Sequence, residues 1–298
     1  GRRGARARED GSVSATPAEA GNTGETKRLL EVENLVKEFG MRRGLAERLT
    51  RKEVAPHRAV DDVSFTLDRG EILGIAGGSG SGKTTLARCL IRLIEPDSGE
   101  VRVDGIDIRA HKGAELRELR RRMQMVFQDP YASLNPRMTV GAALHEAGKV
   151  HNRPGSDNEA AFVSALLGRV QLTDRIAARK PRELSGGQRQ RVSIARALAV
   201  DPEMIIADEA VSALDVSVQA QLLNLFLDLR DELGVAVLFI SHQLAVIAEV
   251  ADRIAVMRHG RIVETGPTKD VFANPQDEYT QALLRAHPHP DPRKRLVA

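Results

Sequence analysis

The sequence predicts an α/β fold built on a mainly parallel sheet, and three observations predict it. Apolar runs of strand length recur at Ile72-Leu73-Gly74-Ile75-Ala76, Met204-Ile205-Ile206-Ala207 and Val235-Ala236-Val237-Leu238-Phe239-Ile240. Runs that are apolar at every position suit strands covered on both faces. Segments of helical period separate them: Leu86, Leu90, Leu93 and Ile94 share one face after Lys83, and Val218, Leu222, Leu225, Phe226, Leu229 and Leu233 hold the same spacing. The glycine-rich string Gly77 to Thr84 follows the first run directly, joining a strand to a helix. Strands that alternate with helices form a parallel sheet with helices on its faces.

Taken in order, residues 1–26 hold almost nothing to bury and read as a disordered tail. Leu29 to Leu35 alternates like a strand, a basic loop runs from about Met41 to Arg58, and Ala59 to Leu67 alternates again. Arg69-Gly70-Glu71 turns the chain into the first apolar run. Val101 to Ile108 reads as a strand pair around Asp104-Gly105. The segment from about Asp129 to Glu183 is mostly helical, broken at Asn135-Pro136 and across Asn152 to Asn158. A helix is predicted from Gln190 to Ala199, and His287 to Pro292 reads as an exposed tail.

Composition narrows the function. A chain of 298 residues with 42% hydrophobic residues can bury a sizeable core, as one large domain with subdomains or two small ones. No internal repeat is seen, so one nucleotide-domain unit is expected. Lysine and arginine total 44 against 41 aspartate and glutamate, a net charge of +3 with both signs interspersed, which gives no warrant for a nucleic-acid partner. The single cysteine, Cys89, excludes an internal disulfide or a cysteine-rich metal centre and suits a reducing compartment. No apolar stretch reaches the length of a membrane span, and no apolar segment follows the basic start as in a secretory signal.

Gly77-Gly78-Ser79-Gly80-Ser81-Gly82-Lys83-Thr84 fits G-x-x-x-x-G-K-[ST], a phosphate-binding loop. Its glycines let the backbone wrap so that amides and a helix N-terminus converge on phosphate oxygens. Lys83 supplies a mobile point charge, and the Thr84 hydroxyl can ligate Mg²⁺. Asp208 and Glu209 end an apolar run, at the carboxyl edge of the sheet where open α/β folds bind ligands. There Asp208 suits Mg²⁺, and Glu209 suits orienting and deprotonating a water. Leu184-Ser185-Gly186-Gly187-Gln188 opens a helix.

At this point the chain resembles the ATP-binding cassette (ABC) ATPases, whose signature motif Leu184 to Gln188 matches. The resemblance implies the ABC nucleotide-binding fold: a phosphate-loop core of mainly parallel sheet, an antiparallel β subdomain and an inserted helical subdomain at about 129–183. Its domain would span 27–266, followed by a C-terminal extension over 267–298. By the same resemblance Gln128 matches the Q-loop glutamine, a further Mg²⁺ contact. Ser212 to Asp215 matches the D-loop, His242 the switch histidine and Phe39 the aromatic that stacks on adenine. ATP would contact Phe39, Gly77 to Thr85, Ser185 to Gln188 and Asp215, with Glu209, His242 and Gln128 as catalytic residues.

Gln128 to Met138, Ser212 to Gln221, and the ending around Pro275 and Tyr279-Thr280 are similar to the oligopeptide/dipeptide (and nickel) importer branch, nearer its second ATPase type. That implies a peripheral subunit at the cytoplasmic face of the membrane. Its partners would be two transmembrane permease subunits, a second ABC ATPase in a heterodimer and an extracytoplasmic peptide-binding protein. The function implied is ATP hydrolysis that powers peptide uptake. The alternatives are a weakly hydrolysing regulatory subunit of the same importer, or the same machinery with nickel or other cargo. Three positions depart from the branch pattern: Gly78 for a common Glu, Ala210 for Pro and Gln243 for Asp, the last two expected to lower turnover.

Overall fold

The computed structural model describes residues 28–40, 57–130 and 133–286. Residues 1–27, 41–56, 131, 132 and 287–298, on which the expected tails and most of the basic loop expected from about Met41 to Arg58 fall, lie outside the described residues. In chain order the elements are β1 (Arg28–Phe39), β2 (His57–Asp68), β3 (Ile72–Ala76), α1 (Lys83–Leu90), β4 (Ser98–Val103), β5 (Ile106–Asp107), α2 (Gly113–Arg122) and β6 (Met123–Val126). There follow α3 (Val140–Val150), α4 (Glu159–Arg169), α5 (Gly186–Leu198), β7 (Met204–Asp208), α6 (Val216–Leu233) and β8 (Ala236–Ser241). The chain continues through α7 (Leu244–Val250), β9 (Arg253–Arg258), β10 (Arg261–Pro267), α8 (Thr268–Ala273) and α9 (Glu278–Ala286).

Two sheets form, an antiparallel one ordered β2-β1-β4-β5 and a larger one ordered β10-β9-β3-β8-β7-β6. In the larger sheet only the β9–β10 pair is antiparallel. Its strands split their side chains by the period of two. Ile72, Ala76, Ile205 and Ala207 join a core shared with α5, α6, α7 and the helical segment. Leu73, Ile75, Met204 and Ile206 join a second core with α1 and the antiparallel sheet. Helices therefore cover one face, while α1 and a second sheet cover the other, the antiparallel subdomain that the resemblance implied. Phe226 and Phe239 meet edge to face in the first core, 5.5 Å between ring centres, and both are fully buried. Phe226→Ala is expected to lower stability by about 3–5 kcal/mol, read as a shift of the denaturant midpoint with an unchanged m-value.

Some boundaries differ from the expectation. α1 stops at Leu90, so Leu93 and Ile94 do not share its face; Arg92 has φ of 51°, which turns the chain, and Leu93 is exposed. α5 begins at Gly186 rather than Gln190, because Ser185 caps it: the Ser185 hydroxyl accepts from the Gln188 amide, and the Gln188 side chain accepts from the Ser185 amide. β2 begins at His57 rather than Ala59. The helical segment holds α3, capped by Thr139, and α4, capped by Asn158, as the breaks in the sequence predict. Cys89 is buried on α1, and burial pushes its thiol up to about 11, so it stays a neutral core side chain.

Candidate active site

Strand register assembles the site. β3 pairs in parallel with β8, Ala76 beside Ser241; β7 pairs with β8, Asp208 beside Ile240; β6 pairs with β7, Val126 beside Ala207. The residues that leave these strands, Gly77, His242, Glu209 and Gln128, therefore emerge at one carboxyl edge. A cleft of about 740 Å³ opens there, lined by Gly78, Ser79, Gly80, Ser81, Gly82, Lys83, Thr84 and Thr85 together with Gln128, Glu209, His242 and Phe39.

The phosphate loop is held from behind. Gly82 has φ of 105°, and a Cβ there would lie 2.0 Å from the Ala59 carbonyl oxygen, so no side chain fits. Lys83, expected as a mobile charge, is buried instead: its Nζ donates to the Gly77 carbonyl at 2.7 Å and the Gly78 carbonyl at 3.0 Å. Burial pushes its pKa down, against the pull of Glu209 and Asp208. Phe39 is exposed at the end of β1, with Lys37 Nζ 5.5 Å from its ring centre.

Thr84 Oγ1 donates to Asp208 Oδ1 at 3.1 Å. Burial pushes the Asp208 carboxyl up, opposed mainly by that hydroxyl. A desolvated carboxylate beside a hydroxyl is a pair of hard oxygens that fits a small divalent cation, whose other ligands would be phosphate and water. Gln128, expected in the same cation set, donates its Nε2 to Ser212 Oγ at 3.4 Å, and Ser212 in turn donates to the Glu209 carbonyl at 3.0 Å. Glu209 Oε2 lies 2.9 Å from His242 Nδ1. Glu209 also has φ of 50°, a strained backbone for a residue with a side chain, while its amide donates to the Ile240 carbonyl and continues the β7–β8 ladder. His242 is exposed toward the cleft; Glu209 is half-buried behind it.

Other predicted site residues lie elsewhere. Ser185, Gly186, Gly187 and Gln188 sit at the start of α5 and do not line the cleft, nor does Asp215, exposed at the start of α6. Gly77, the first residue of the loop, is buried and does not line the cleft. Of the departures, Ala210 is buried, and Gln243 bonds to Gln219 at 3.4 Å rather than to Glu209 or His242. Sequence reasoning missed three cleft residues, His57, Ala59 and Leu283. It also gave Tyr279 no role in the site, yet its hydroxyl accepts from the Gly78 amide at 2.9 Å. No local pattern marks that contact between residues 201 positions apart.

A family profile described as ABC transporter matches residues 60–212, just over half of the chain and all of the phosphate loop, signature and Asp208–Glu209 pair. The chain belongs to the ABC transporter family. A second profile, the oligopeptide/dipeptide transporter C-terminal region, matches residues 263–298. Among its relatives, y4tS of Sinorhizobium fredii, named a probable peptide ABC transporter ATP-binding protein, is 52% identical over 264 residues, 89% of this chain and 74% of that protein. The glutathione import ATP-binding protein GsiA of Escherichia coli K12 is 49% identical over 285 residues, 95% of this chain. This ABC chain spans 45% of that GsiA's length. The fold superposes on cbiO1 of Clostridium perfringens, part of the transporter complex cbiONQ, with a TM-score of 0.70 at 27% identity over 83% of this chain and 92% of that one. It also matches the ATP-binding cassette MJ0796 in a dimeric post-hydrolysis state with ADP and Pi, TM-score 0.66 and 28% identity over 80% of this chain and 99% of that one. As an ABC cassette the chain is an ATP-binding subunit, and no helix among its described residues is long and apolar enough to cross a membrane.

Proposed function

We propose that this chain hydrolyses ATP to drive uptake of small peptides by a membrane importer. The observation that carries the reaction is the convergence of the phosphate loop, Glu209, His242 and Gln128 in one cleft, with Asp208 bonded to Thr84 beneath it. The cargo class is supported by the match at residues 263–298 and by the relatives' names. Permease subunits, a paired ATPase and an extracytoplasmic peptide-binding protein complete the assembly, and the chain works at the cytoplasmic face of the membrane.

The residues divide the work. Lys83 exchanges its loop carbonyls for β- and γ-phosphate oxygens, and the first-turn amides of α1 take the remaining charge. Thr84 and Asp208 would hold Mg²⁺, which neutralises charge on the phosphates. Glu209 accepts a proton from the attacking water; its strained backbone and the His242 contact fix where its carboxylate points. His242, exposed to the cleft, meets the γ-phosphate. Gln128, tied through Ser212 to the Glu209 backbone, links the nucleotide to the helical segment from 129. Ser185 and its helix lie outside this cleft, so each chain supplies half of two composite sites and its signature serves the partner's nucleotide. Positioning and charge stabilisation dominate phosphoryl transfer, so joining the halves switches hydrolysis on.

Phe39 flanks the cleft as an adenine platform. Phe39→Ala is expected to weaken ATP binding by about fivefold to a hundredfold, the range of one lost aromatic–base stack, with tripolyphosphate binding unchanged in the same titration. The test of the whole reading is ATPase activity of the chain reconstituted with the permeases and sister ATPase encoded beside its gene. Stimulation by peptide-loaded binding protein supports the reading. Stimulation by nickel and not by peptides replaces the cargo.

A further inference from the structure

The C-terminal segment reaches the back of the phosphate loop. Glu264 on β10 accepts from the amides of Gln276 and Asp277 at 2.8 and 3.2 Å, which fixes the turn before α9. Asp277 then accepts from the Tyr279 amide at 2.8 Å and starts the helix. Tyr279 and Leu283 fall one turn apart on the same face of α9. Leu283 lines the nucleotide cleft, and Tyr279 Oη takes the Gly78 amide. The Tyr279 ring packs under Arg258, whose guanidinium carbon is 4.9 Å from the ring centre. A side chain at position 78 would start 3.0 Å from the hydroxyl and crowd it by a few tenths of an ångström.

We propose that Tyr279 is a positioning residue for nucleotide binding: from the C-terminal helix it holds the phosphate loop at Gly78 in the shape that receives the triphosphate. The inference rests on the cleft binding ATP, as proposed above. Gly78 is the residue whose carbonyl Lys83 occupies at 3.0 Å, so the Tyr279 hydroxyl and the Lys83 ammonium grip the same residue from its amide and its carbonyl. With the amide satisfied, the loop carries less freedom to lose when the phosphates arrive. Tyr279 lies within the region matched by the oligopeptide/dipeptide transporter profile, which gives that region a contact with the ATP site.

The test is ATP titration of the full chain with Mg²⁺, for wild type, Tyr279→Phe, Gly78→Ala, the double variant and Lys83→Ala, with kcat and KM then measured in the reconstituted complex. Tyr279→Phe keeps the ring under Arg258 and removes only the hydroxyl. Losing one neutral hydrogen bond predicts an ATP Kd and KM raised by about threefold to tenfold, with kcat and binding stoichiometry unchanged. Gly78→Ala, which crowds the hydroxyl, is expected to cost less affinity when combined with Tyr279→Phe than in the wild type. A part that merely stabilised the fold would lower stoichiometry or kcat and leave Kd alone. Unchanged Kd in Tyr279→Phe, with binding lost in Lys83→Ala, overturns the inference and leaves the site reading intact. Unchanged binding in Lys83→Ala overturns the site reading itself.

Discussion

Glu209→Gln is expected to lower ATP turnover in the assembled transporter by about two to four orders of magnitude while ATP affinity is retained. The amide keeps the length of the side chain and can still bond His242, which lies 2.9 Å from the carboxylate. It cannot accept a proton from water. The strained backbone at Glu209, φ 50°, and its amide bond to Ile240 do not depend on the carboxylate, so the site stays assembled. Bound ATP then persists and holds two cassettes together. The measurement pairs steady-state phosphate release with size-exclusion chromatography in ATP. Near-normal release would remove Glu209 from the role of general base.

Lys83→Ala acts one step earlier, on binding. The ammonium is buried at the base of the loop and already carries the desolvation that contact with phosphate requires, as its downward pKa shift by burial indicates. Each charge-assisted bond that it makes to phosphate contributes about 1.5–3 kcal/mol. Its loss is expected to weaken ATP by about tenfold to a hundredfold or more and to weaken ADP less, because the γ-phosphate contact is absent. Isothermal titration with both nucleotides checks the difference. Equal losses for ATP and ADP would mean that Lys83 serves the β-phosphate alone.

What could be read from the residues follows from how local each signal is. β3, β7 and β8 are legible because a strand buried on both faces must be apolar at every position, and α6 because its apolar residues keep one face along an 18-residue helix. α2 is not, since among its ten residues only Leu119 is buried and its arginines bond to surface acids and carbonyls. β9 is hard to read because Arg253 and Arg258 close off a stretch of four buried residues. The site residues were legible as types: a glycine-rich loop, an acidic pair after a strand, a lone histidine. Their partners were not, because the Glu209–His242 and Thr84–Asp208 pairs are made by strand register across 33 and 124 positions. The resemblance placed Ser185 and Asp215 in the site, whereas the structure keeps both away from the cleft of this chain. Tyr279 was legible only as part of a matching ending, since what it does depends on a turn anchored by Glu264.

The central claim is that this chain holds half of each ATP site and hydrolyses only when a second cassette closes over it. The most direct test is ATP hydrolysis per chain, followed from dilute isolated chain to the chain assembled with its sister ATPase and permeases. The account predicts negligible turnover in the dilute chain, a rate per chain that climbs with assembly, and loss of that climb when Ser185 is replaced by Arg. A rate per chain that is substantial at high dilution and indifferent to assembly would contradict it.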